Sequence, residues 1–291
     1  MADESLVING YRLINLIQTG QHSQIWEAEE VYSGRRYALK ILLPEAARQA
    51  LHRRLLANEA KVGMQLEHPY IIRTYKYFPG RKGEHAPHLI LEYFPSVNLA
   101  IRILRGHPII YTATRKIIEQ SAEALAYMHE KGYVHKDIKP NNILVSGSGD
   151  VKLIDFALAE KPGGFLSRLF RRSSKVQGTR SYMSPEQIKG KRLDARADVY
   201  SFGCTVYELL TGRPPFRADS PAALLYKQIH ETPRPARTFN PNVTEAMDRL
   251  ILRMLEKKPE KRPQSMREVI QELRRIPIWV KEPEVEEATK S

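Results

Sequence analysis

The chain has 291 residues, more than a single hydrophobic core usually serves, so two lobes or domains are expected. Lys and Arg number 46 against 33 Asp and Glu; a net charge of +13 favours acidic proteins, nucleic acid or an anionic membrane, or else a solvated basic surface. No apolar run approaches the roughly 18 residues of a membrane span and the start has no signal-peptide pattern, so a soluble, cytoplasmic chain is expected. The single cysteine, Cys204, excludes an internal disulfide, and its apolar neighbours predict a buried thiol.

The predicted elements change type near Pro95. Before it, alternating apolar residues predict strands at residues 11–17, 24–29, 36–41, 71–78 and 88–93, with one helix at residues 44–66. After it, amphipathic helices are predicted at residues 111–131, 195–210, 221–230, 244–256 and 265–274. The fold class is therefore α+β, with a small antiparallel sheet and one helix followed by a mainly α part.

The same change of pattern divides the chain into domains. We predict a first domain at residues 1–94 and a second at residues 95–276, with a ligand cleft at their junction, where ligands commonly bind. Residues 277–291 contain Pro277, Pro283 and a Glu-rich run, which predicts a mobile acidic tail.

Two short motifs place chemically useful side chains close together in the sequence. Residues 135–144 read H-K-D-I-K-P-N-N-I-L, and residues 154–157 read I-D-F-A. Asp137 precedes a short apolar strand predicted at residues 142–145, so its carboxylate can orient a hydroxyl and accept its proton. Asn142 and Asp155 offer hard oxygen ligands to Mg²⁺. A lone Asp in a polar loop is usually a turn residue, but two ordered motifs make that interpretation unlikely.

These two motifs resemble the catalytic loop H-R-D-x-x-x-x-N and the D-F-G motif of protein kinases. The resemblance extends over about residues 11–275. It implies a two-lobed kinase fold, ATP with Mg²⁺ or Mn²⁺, and a protein or peptide substrate. Asp137 would then be the catalytic base, Lys139 would offset charge on the moving phosphoryl group, and Asn142 and Asp155 would bind the metal.

Lys40 and Glu59 are the predicted partners on the nucleotide side. Lys40 ends a strand pattern, and Glu59 lies on the helical stretch that follows. A lysine alone would be an ordinary surface residue, but a carboxylate at this distance could hold its ammonium group. The pair resembles the lysine and glutamate that protein kinases use to hold the α and β phosphates.

The glycine-rich loop of the family is reduced here. Residues 17–25 read I-Q-T-G-Q-H-S-Q-I and align with G-x-G-x-x-G-x-V, but only Gly20 is kept, which implies a stiffer loop. For Ala38 and Leu144, ordinary packing in a hydrophobic core explains the apolar side chain as well as contact with a nucleotide base does. The resemblance implies nucleotide contacts from the loop, the base pocket and the hinge, at Ile17, Gly20, Ile25, Ala38, Lys40, Leu91, Glu92, Phe94 and Leu144.

Residues 155–186 have little regular pattern and resemble an activation segment that ends in G-T-R-S-Y-M-S-P-E. The resemblance implies that Thr179 contacts the region of Asp137 and Lys139. It also implies an ion pair between Glu186 and Arg262, and it places Asp198 beneath the catalytic loop.

The basic stretch F-L-S-R-L-F-R-R-S-S-K at residues 165–175 leaves three interpretations open. They are a phosphorylation switch at Ser173 or Ser174, a contact with a membrane or nucleic acid, and a plain solvated loop. Lys136 stands where phosphorylation-dependent kinases have arginine. Because lysine lacks the bidentate grip of arginine on phosphate, weaker control by phosphate is predicted.

Lys139 together with Thr179 is typical of serine/threonine kinases. We therefore predict transfer of the ATP γ-phosphoryl group to Ser and Thr of proteins, with autophosphorylation, and no sequence-specific nucleic acid partner.

Three departures keep a catalytically impaired pseudokinase scaffold open as an alternative: Ala157 in place of glycine, the reduced loop, and the pair Gly63 and Thr74 where the family has bulky apolar residues. A small-molecule or lipid kinase is less consistent with Thr179, the S-P-E ending and Arg262.

Overall fold

The computed structural model describes residues 6–80, 85–162 and 179–283, which divide into two compact units. The first comprises the described residues up to Pro95 together with Asp155–Ala159, and the second comprises the rest. An antiparallel sheet dominates the first unit and helices dominate the second, so the predicted α+β class is confirmed.

The sheet of the first unit has six antiparallel strands in the order β1-β2-β3-β4-β6-β5. Their bounds are β1 Val7–Ile8, β2 Tyr11–Thr19, β3 Ser23–Glu30, β4 Arg36–Leu42, β5 Thr74–Phe78 and β6 His88–Glu92. The predicted fourth strand was too long at its start, because the buried residues Ile71 and Ile72 belong to the preceding connection. Both are buried in this connection, where Ile71 forms only a single β-bridge.

The alternation along β4 assigns its side chains to two cores. Ala38 and Leu42 pack in one cluster with Leu56 and Ala60. Leu39, between them, belongs to the cluster on the other face. Because successive strand residues point to opposite faces, position 40 shares the face of Ala38 and Leu42.

The single helix predicted at residues 44–66 is two helices, α1 Pro44–Arg48 and α2 Ala50–Gly63. The break is at Gln49, whose φ of −89° and ψ of 123° are extended and not helical. Pro44 begins α1, where its missing N–H costs no hydrogen bond. The buried face of α2 includes Glu59, and a carboxylate in such a place requires a partner.

The second unit contains a three-stranded sheet in the order β7-β8-β9 and most of the helices. The strands are β7 Val97–Asn98, β8 Ile143–Val145 and β9 Val151–Leu153. The helices are α3 Leu99–Leu104, α4 Ile109–Thr112, α5 Thr114–Glu130, α6 Pro185–Ile188, α7 Ala195–Thr211, α8 Pro221–His230, α9 Glu245–Met254 and α10 Met266–Leu273. Across the described part of the chain, no helix combines the length and apolar character required to cross a bilayer.

Helix α7 is buried on nearly all sides and forms the centre of the second unit. Cys204 lies within it with no exposed surface, as predicted, and burial raises the pKa of its thiol. The helix also buries Asp198, which is a polar exception in an apolar segment.

The predicted mobile tail at residues 277–291 is wrong for its first part. Ile278 and Trp279 are 2% and 5% exposed, and Trp279 forms a β-bridge with Val243. The Asn242 side chain exchanges hydrogen bonds with the backbone of Lys281, both 2.8 Å long. Burial of two large apolar side chains outweighs the disorder-favouring composition around them. Residues 284–291 lie outside the described ranges.

Candidate active site

Lys40 and Glu59 of the first unit form the predicted ion pair. The Lys40 ammonium donates to both carboxylate oxygens of Glu59, at 2.6 and 2.8 Å. It also lies 3.6 Å from Oδ1 of Asp155. Strand β4 presents Lys40 towards α2, and the buried face of α2 presents Glu59, so the sheet and helix together determine the pair.

Burial and charge act in opposite directions on this cluster. Burial would lower the pKa of Lys40, but Asp155 and Glu59 raise it above its ordinary value, so the side chain is an ammonium ion. Burial raises the pKa of Glu59 to about 7, against the lowering effect of Lys40. Asp155 is the more exposed carboxylate, 34% against 5%. It is therefore the one better placed to accept a second cation.

Asp155 and the residues after it are attached to α2 by Asn58. The Asn58 amide donates to the carbonyl oxygens of Ala157 at 3.0 Å and Ala159 at 2.9 Å. Among described non-glycine residues, positive φ occurs at Asn9, Lys136 and Asp155, so Ala157 has a backbone conformation ordinary for alanine. The sequence interpretation did not include Asn58; its one signal was its position directly before Glu59.

Gly63 and Thr74 are packed against each other. A Cβ atom at position 63 would lie 2.3 Å from Thr74 Oγ1 and 3.4 Å from Phe156 Cδ2. Thr74 is only 3% exposed. The threonine thus occupies the volume that a larger residue at position 63 would need, and the two small residues are matched.

The residues predicted to contact the nucleotide occupy several elements of the first unit. Gly20 lies in the turn between β2 and β3, where its N–H donates to the Ser23 carbonyl at 2.8 Å. Glu92 ends β6, and its N–H donates to the Arg73 carbonyl at 2.8 Å. Ile17 is half-exposed. Ala38 and Leu91 are buried in the cluster that also contains Leu56 and Ala60 of α2, and Ile25 packs against that cluster. Phe94 follows β6, and Leu144 belongs to β8 of the second unit.

In the second unit, Asp137 is held between Lys139 and Asn142. Its Oδ2 accepts from Lys139 Nζ at 2.7 Å and from Asn142 Nδ2 at 3.1 Å. The Asn142 nitrogen also donates to the Asp137 carbonyl at 2.7 Å. Because that nitrogen donates to Asp137, the amide oxygen is the atom of Asn142 that could ligate a metal. Lys139 and Asn142, which lie in the same sequence motif as Asp137, thus both contact it.

Asp198 of α7 supports this loop from below, as predicted. It accepts the backbone N–H groups of His135 and Lys136 at 2.7 and 2.9 Å. His129 Nε2 lies 2.8 Å from the same carboxylate. Burial would raise the pKa of Asp198, but the hydrogen bond from His129 and the electrostatic effect of the two nearby histidines, His129 and His135, hold it below its usual value. His129 was missed; its signal was a histidine at the end of α5, six residues before His135.

His135 connects the catalytic loop to the end of β9. It is fully buried, and its Nδ1 accepts the Asp137 N–H at 3.3 Å. The proton therefore resides on Nε2, which donates to the Ile154 carbonyl at 3.2 Å. In this tautomer, His135 links Ile154, the residue before Asp155, to the backbone of Asp137, the predicted base.

Lys136 is paired with Glu160, a residue that the sequence interpretation missed. Both side chains are about nine-tenths buried. The backbone of Glu160 also pairs with Val134 through hydrogen bonds of 3.0 and 3.1 Å. The cation beside the predicted catalytic base is therefore neutralised within the second unit.

The predicted pair Glu186 and Arg262 is present and bidentate. Its two N–O distances are 2.7 and 2.8 Å, and the arginine side chain has no exposed surface. Breaking such a buried pair from one side costs roughly 3–5 kcal/mol.

The turn of residues 179–182 just before it is anchored by helices. Gln228 Nε2 donates to the Ser181 carbonyl at 2.5 Å, and Ser201 Oγ donates to the Tyr182 carbonyl at 2.7 Å. The side chain of Thr179 and residues Ser173 and Ser174 lie outside what the structure describes.

No group of three or more His, Cys, Asp or Glu residues that could hold a metal occurs in residues 6–80, 85–162 and 179–283. The candidate ligands are the Asp155 carboxylate in the first unit and the Asn142 amide in the second. Both are hard oxygen donors. They suit a cation such as Mg²⁺, which takes one or two protein oxygens and completes its shell with water and phosphate.

Comparison with known proteins agrees with this chemistry. A family model described as Protein kinase domain matches residues 11–273. The chain is 35% identical over 265 residues to a probable serine/threonine-protein kinase of Streptomyces coelicolor, covering 89% of this chain and 38% of the relative. It is 33% identical over 267 residues to serine/threonine-protein kinase PknB of Mycolicibacterium smegmatis, covering 91% and 43%. The PknB of Mycobacterium tuberculosis is 32% identical over 279 residues, 95% of this chain and 44% of the relative. The chain thus spans about two fifths of the length of these relatives.

Proposed function

Because this chain belongs to the protein kinase family, we propose that it transfers the γ-phosphoryl group of ATP to Ser and Thr hydroxyls of proteins, itself included. The observation that carries the proposal is the catalytic loop. Asp137 is held by Lys139 and Asn142, and Asp198 fixes the backbone beside it. A carboxylate positioned in this way can orient an acceptor hydroxyl.

On the acceptor side, each side chain has a separate task. Asp137 orients the hydroxyl and accepts its proton, and Lys139, 2.7 Å away, offsets the negative charge that develops on the phosphoryl oxygens. Thr179 completes the site for Ser and Thr acceptors. The anchored turn of residues 179–182 presents the substrate protein to this site.

On the nucleotide side, Lys40 binds the α and β phosphates while Glu59 holds its ammonium group in place. The residues at the β2–β3 turn, the core and the end of β6 would contact the phosphates and the base. Asp155 and Asn142 would hold Mg²⁺, with Mn²⁺ as a substitute. When bound, the metal ion neutralises charge on the phosphate oxygens.

Regulation by phosphate at Lys136 is proposed to be weak. The residue is already paired with Glu160, and both side chains are largely removed from solvent. A phosphate would have to displace a buried carboxylate, and lysine offers it no bidentate contact. For the whole protein, we propose that it phosphorylates other proteins. We also propose a cytoplasmic location, which the use of ATP favours.

The test is phosphate incorporation from labelled ATP with Mg²⁺ into the protein itself and into a basic protein substrate. Asp137→Asn keeps the shape of the side chain but removes the base, so a loss of at least about 100-fold is expected. Asp150→Asn is the matched control, because Asp150 is half-exposed in a turn and pairs with Lys116; it should keep full activity.

Equal incorporation by wild type and Asp137→Asn would contradict the assignment of the base. Absence of incorporation by the wild type, combined with nucleotide binding, would instead favour the pseudokinase scaffold.

A further inference from the structure

Asn58 lies one residue before Glu59 on α2 and donates hydrogen bonds to the segment that carries Asp155. We propose that Asn58 is a positioning residue that fastens this segment to α2, so that Lys40, Glu59 and Asp155 keep one arrangement without bound nucleotide. The catalytic consequence rests on the proposed kinase function. The structural consequence does not.

The geometry of the contact supports a clamp. Three carbonyl oxygens face the Asn58 nitrogen: those of Ala159 at 2.9 Å, Ala157 at 3.0 Å and Phe156 at 3.4 Å. The amide has two N–H groups, so the two shorter contacts use both of them. Two directed bonds from one planar group to backbone atoms two residues apart restrict both the position and the rotation of the segment.

The segment needs external support because of its backbone. Asp155 has a φ of +67°, in the left-handed region, which is unfavourable for a residue other than glycine. Inside the segment, the Ala157 N–H reaches Asp155 Oδ1 at 3.4 Å and the Ala159 N–H reaches the Phe156 carbonyl at 3.1 Å, and both bonds are local. The bonds from Asn58 come from a helix, which is a more rigid support.

The sequence of the segment acts in the same direction. Ala157 has fewer accessible backbone conformations than the glycine that the family usually has at this position. Phe156 is 1% exposed and lies against Gly63 of the same helix. Three features thus oppose rearrangement: the clamp, the alanine and the buried ring.

Hydrogen exchange of the full chain without nucleotide tests the structural step. Asn58→Leu has a similar size and no donor, and it should speed amide exchange at Ala157 and Ala159 by at least about tenfold. The amides of Leu39 and Ile90 in the sheet should be unchanged. Lys61→Ala, exposed on the same helix, is the matched control, and Asn58→Gln should restore part of the protection because it keeps the donor.

The kinetic step is tested by varying Mg²⁺ in the phosphorylation assay. Asn58→Leu should raise the Mg²⁺ concentration required for half-maximal rate, while ATP binding without metal stays the same. Unchanged exchange at residues 157–159 would overturn the proposal. Exchange raised equally in the sheet would also overturn it, since Asn58 would then be a general stability residue. Local loosening with no kinase activity in any variant would support the clamp and contradict the proposed function.

Discussion

Lys136 and Asp155 have φ values of +70° and +67°, a conformation that residues other than glycine seldom adopt. Each strained residue is next to a group assigned to phosphoryl transfer or is itself one. Each is also held by a side chain from a helix: the Lys136 N–H donates to Asp198, and the carbonyls after Asp155 accept from Asn58. Such conformations persist when the surrounding structure specifies them more strongly than local preference opposes them.

At the scale of single residues, Gly63→Leu should destabilise the protein by about 1–3 kcal/mol. The new side chain would need the space of Thr74 Oγ1, 2.3 Å from the ideal Cβ position, and would press on Phe156. Urea unfolding of the purified chain measures the loss. Because Phe156 belongs to the segment of Asp155, the variant should also lose phosphorylation activity.

The control for this substitution is Gly147→Leu, where no atom lies within 4 Å of an added Cβ atom and the backbone has no positive φ. Its effect should stay within about 0.5 kcal/mol. Adding Thr74→Ala to Gly63→Leu should recover part of the stability, since the two side chains compete for one space. If Gly63→Leu alone is neutral, the matched packing of these residues is disproved.

At the scale of elements, helices position the loops that carry the chemistry. Helix α7 provides Asp198, and α5 provides His129. The buried carboxylate accepts two backbone N–H groups of the catalytic loop, and the histidine keeps the carboxylate charged. The hydrogen bonds that Asp198 accepts from the catalytic loop offset the cost of burying a carboxylate in the apolar helix α7. The same bonds order the loop.

The docked segment that follows α10 provides an element-scale prediction. Trp279→Ala should lower the free energy of unfolding by about 3–5 kcal/mol, because the ring is buried within the second unit. Val280→Ala is the matched control: its side chain is 70% exposed, and the effect should be within about 0.5 kcal/mol. Chemical denaturation of both variants distinguishes docking from mobility. Equal stability of Trp279→Ala and the wild type would restore the mobile-tail interpretation.

At the scale of the whole molecule, the residues of the candidate site are divided between the two compact units. Lys40, Glu59 and Asp155 belong to the first, while Asp137, Lys139 and Asn142 belong to the second. Neither unit alone contains both the proposed phosphate-binding lysine and the proposed catalytic base. The proposed function therefore requires both units to be folded.

Nucleotide binding should consequently stabilise the folded chain by mass action. At a concentration of ATP and Mg²⁺ 100 times the Kd, the expected gain is about 2.7 kcal/mol, seen as a higher Tm. Lys40→Ala should reduce the shift, since it removes the cation that Glu59 holds in place. Lys61→Ala, exposed on α2, should leave it intact. The absence of any shift with ATP, with or without Mg²⁺, would contradict nucleotide binding.

Most elements could be predicted because they repeat a local pattern. Alternation located β2 to β6 of the first unit but not the two-residue strand β1, and helical spacing located α7, α8, α9 and α10. The break at Gln49 carried no proline or glycine signal, so two helices were predicted as one. The docking of Ile278 and Trp279 depends on a surface supplied by Asn242 and Val243, far away in the sequence.

The family and the order of its motifs can be read from the sequence alone, because Asp137, Lys139 and Asn142 lie within six consecutive residues and need only one loop to meet. How that loop and the segment of Asp155 are held depends on tertiary packing. Asn58 reaches carbonyls 98 to 101 positions away, and His129 reaches Asp198 across 69 positions. Contacts of this kind depend on how separate elements pack, and a local pattern of residues contains no record of that packing.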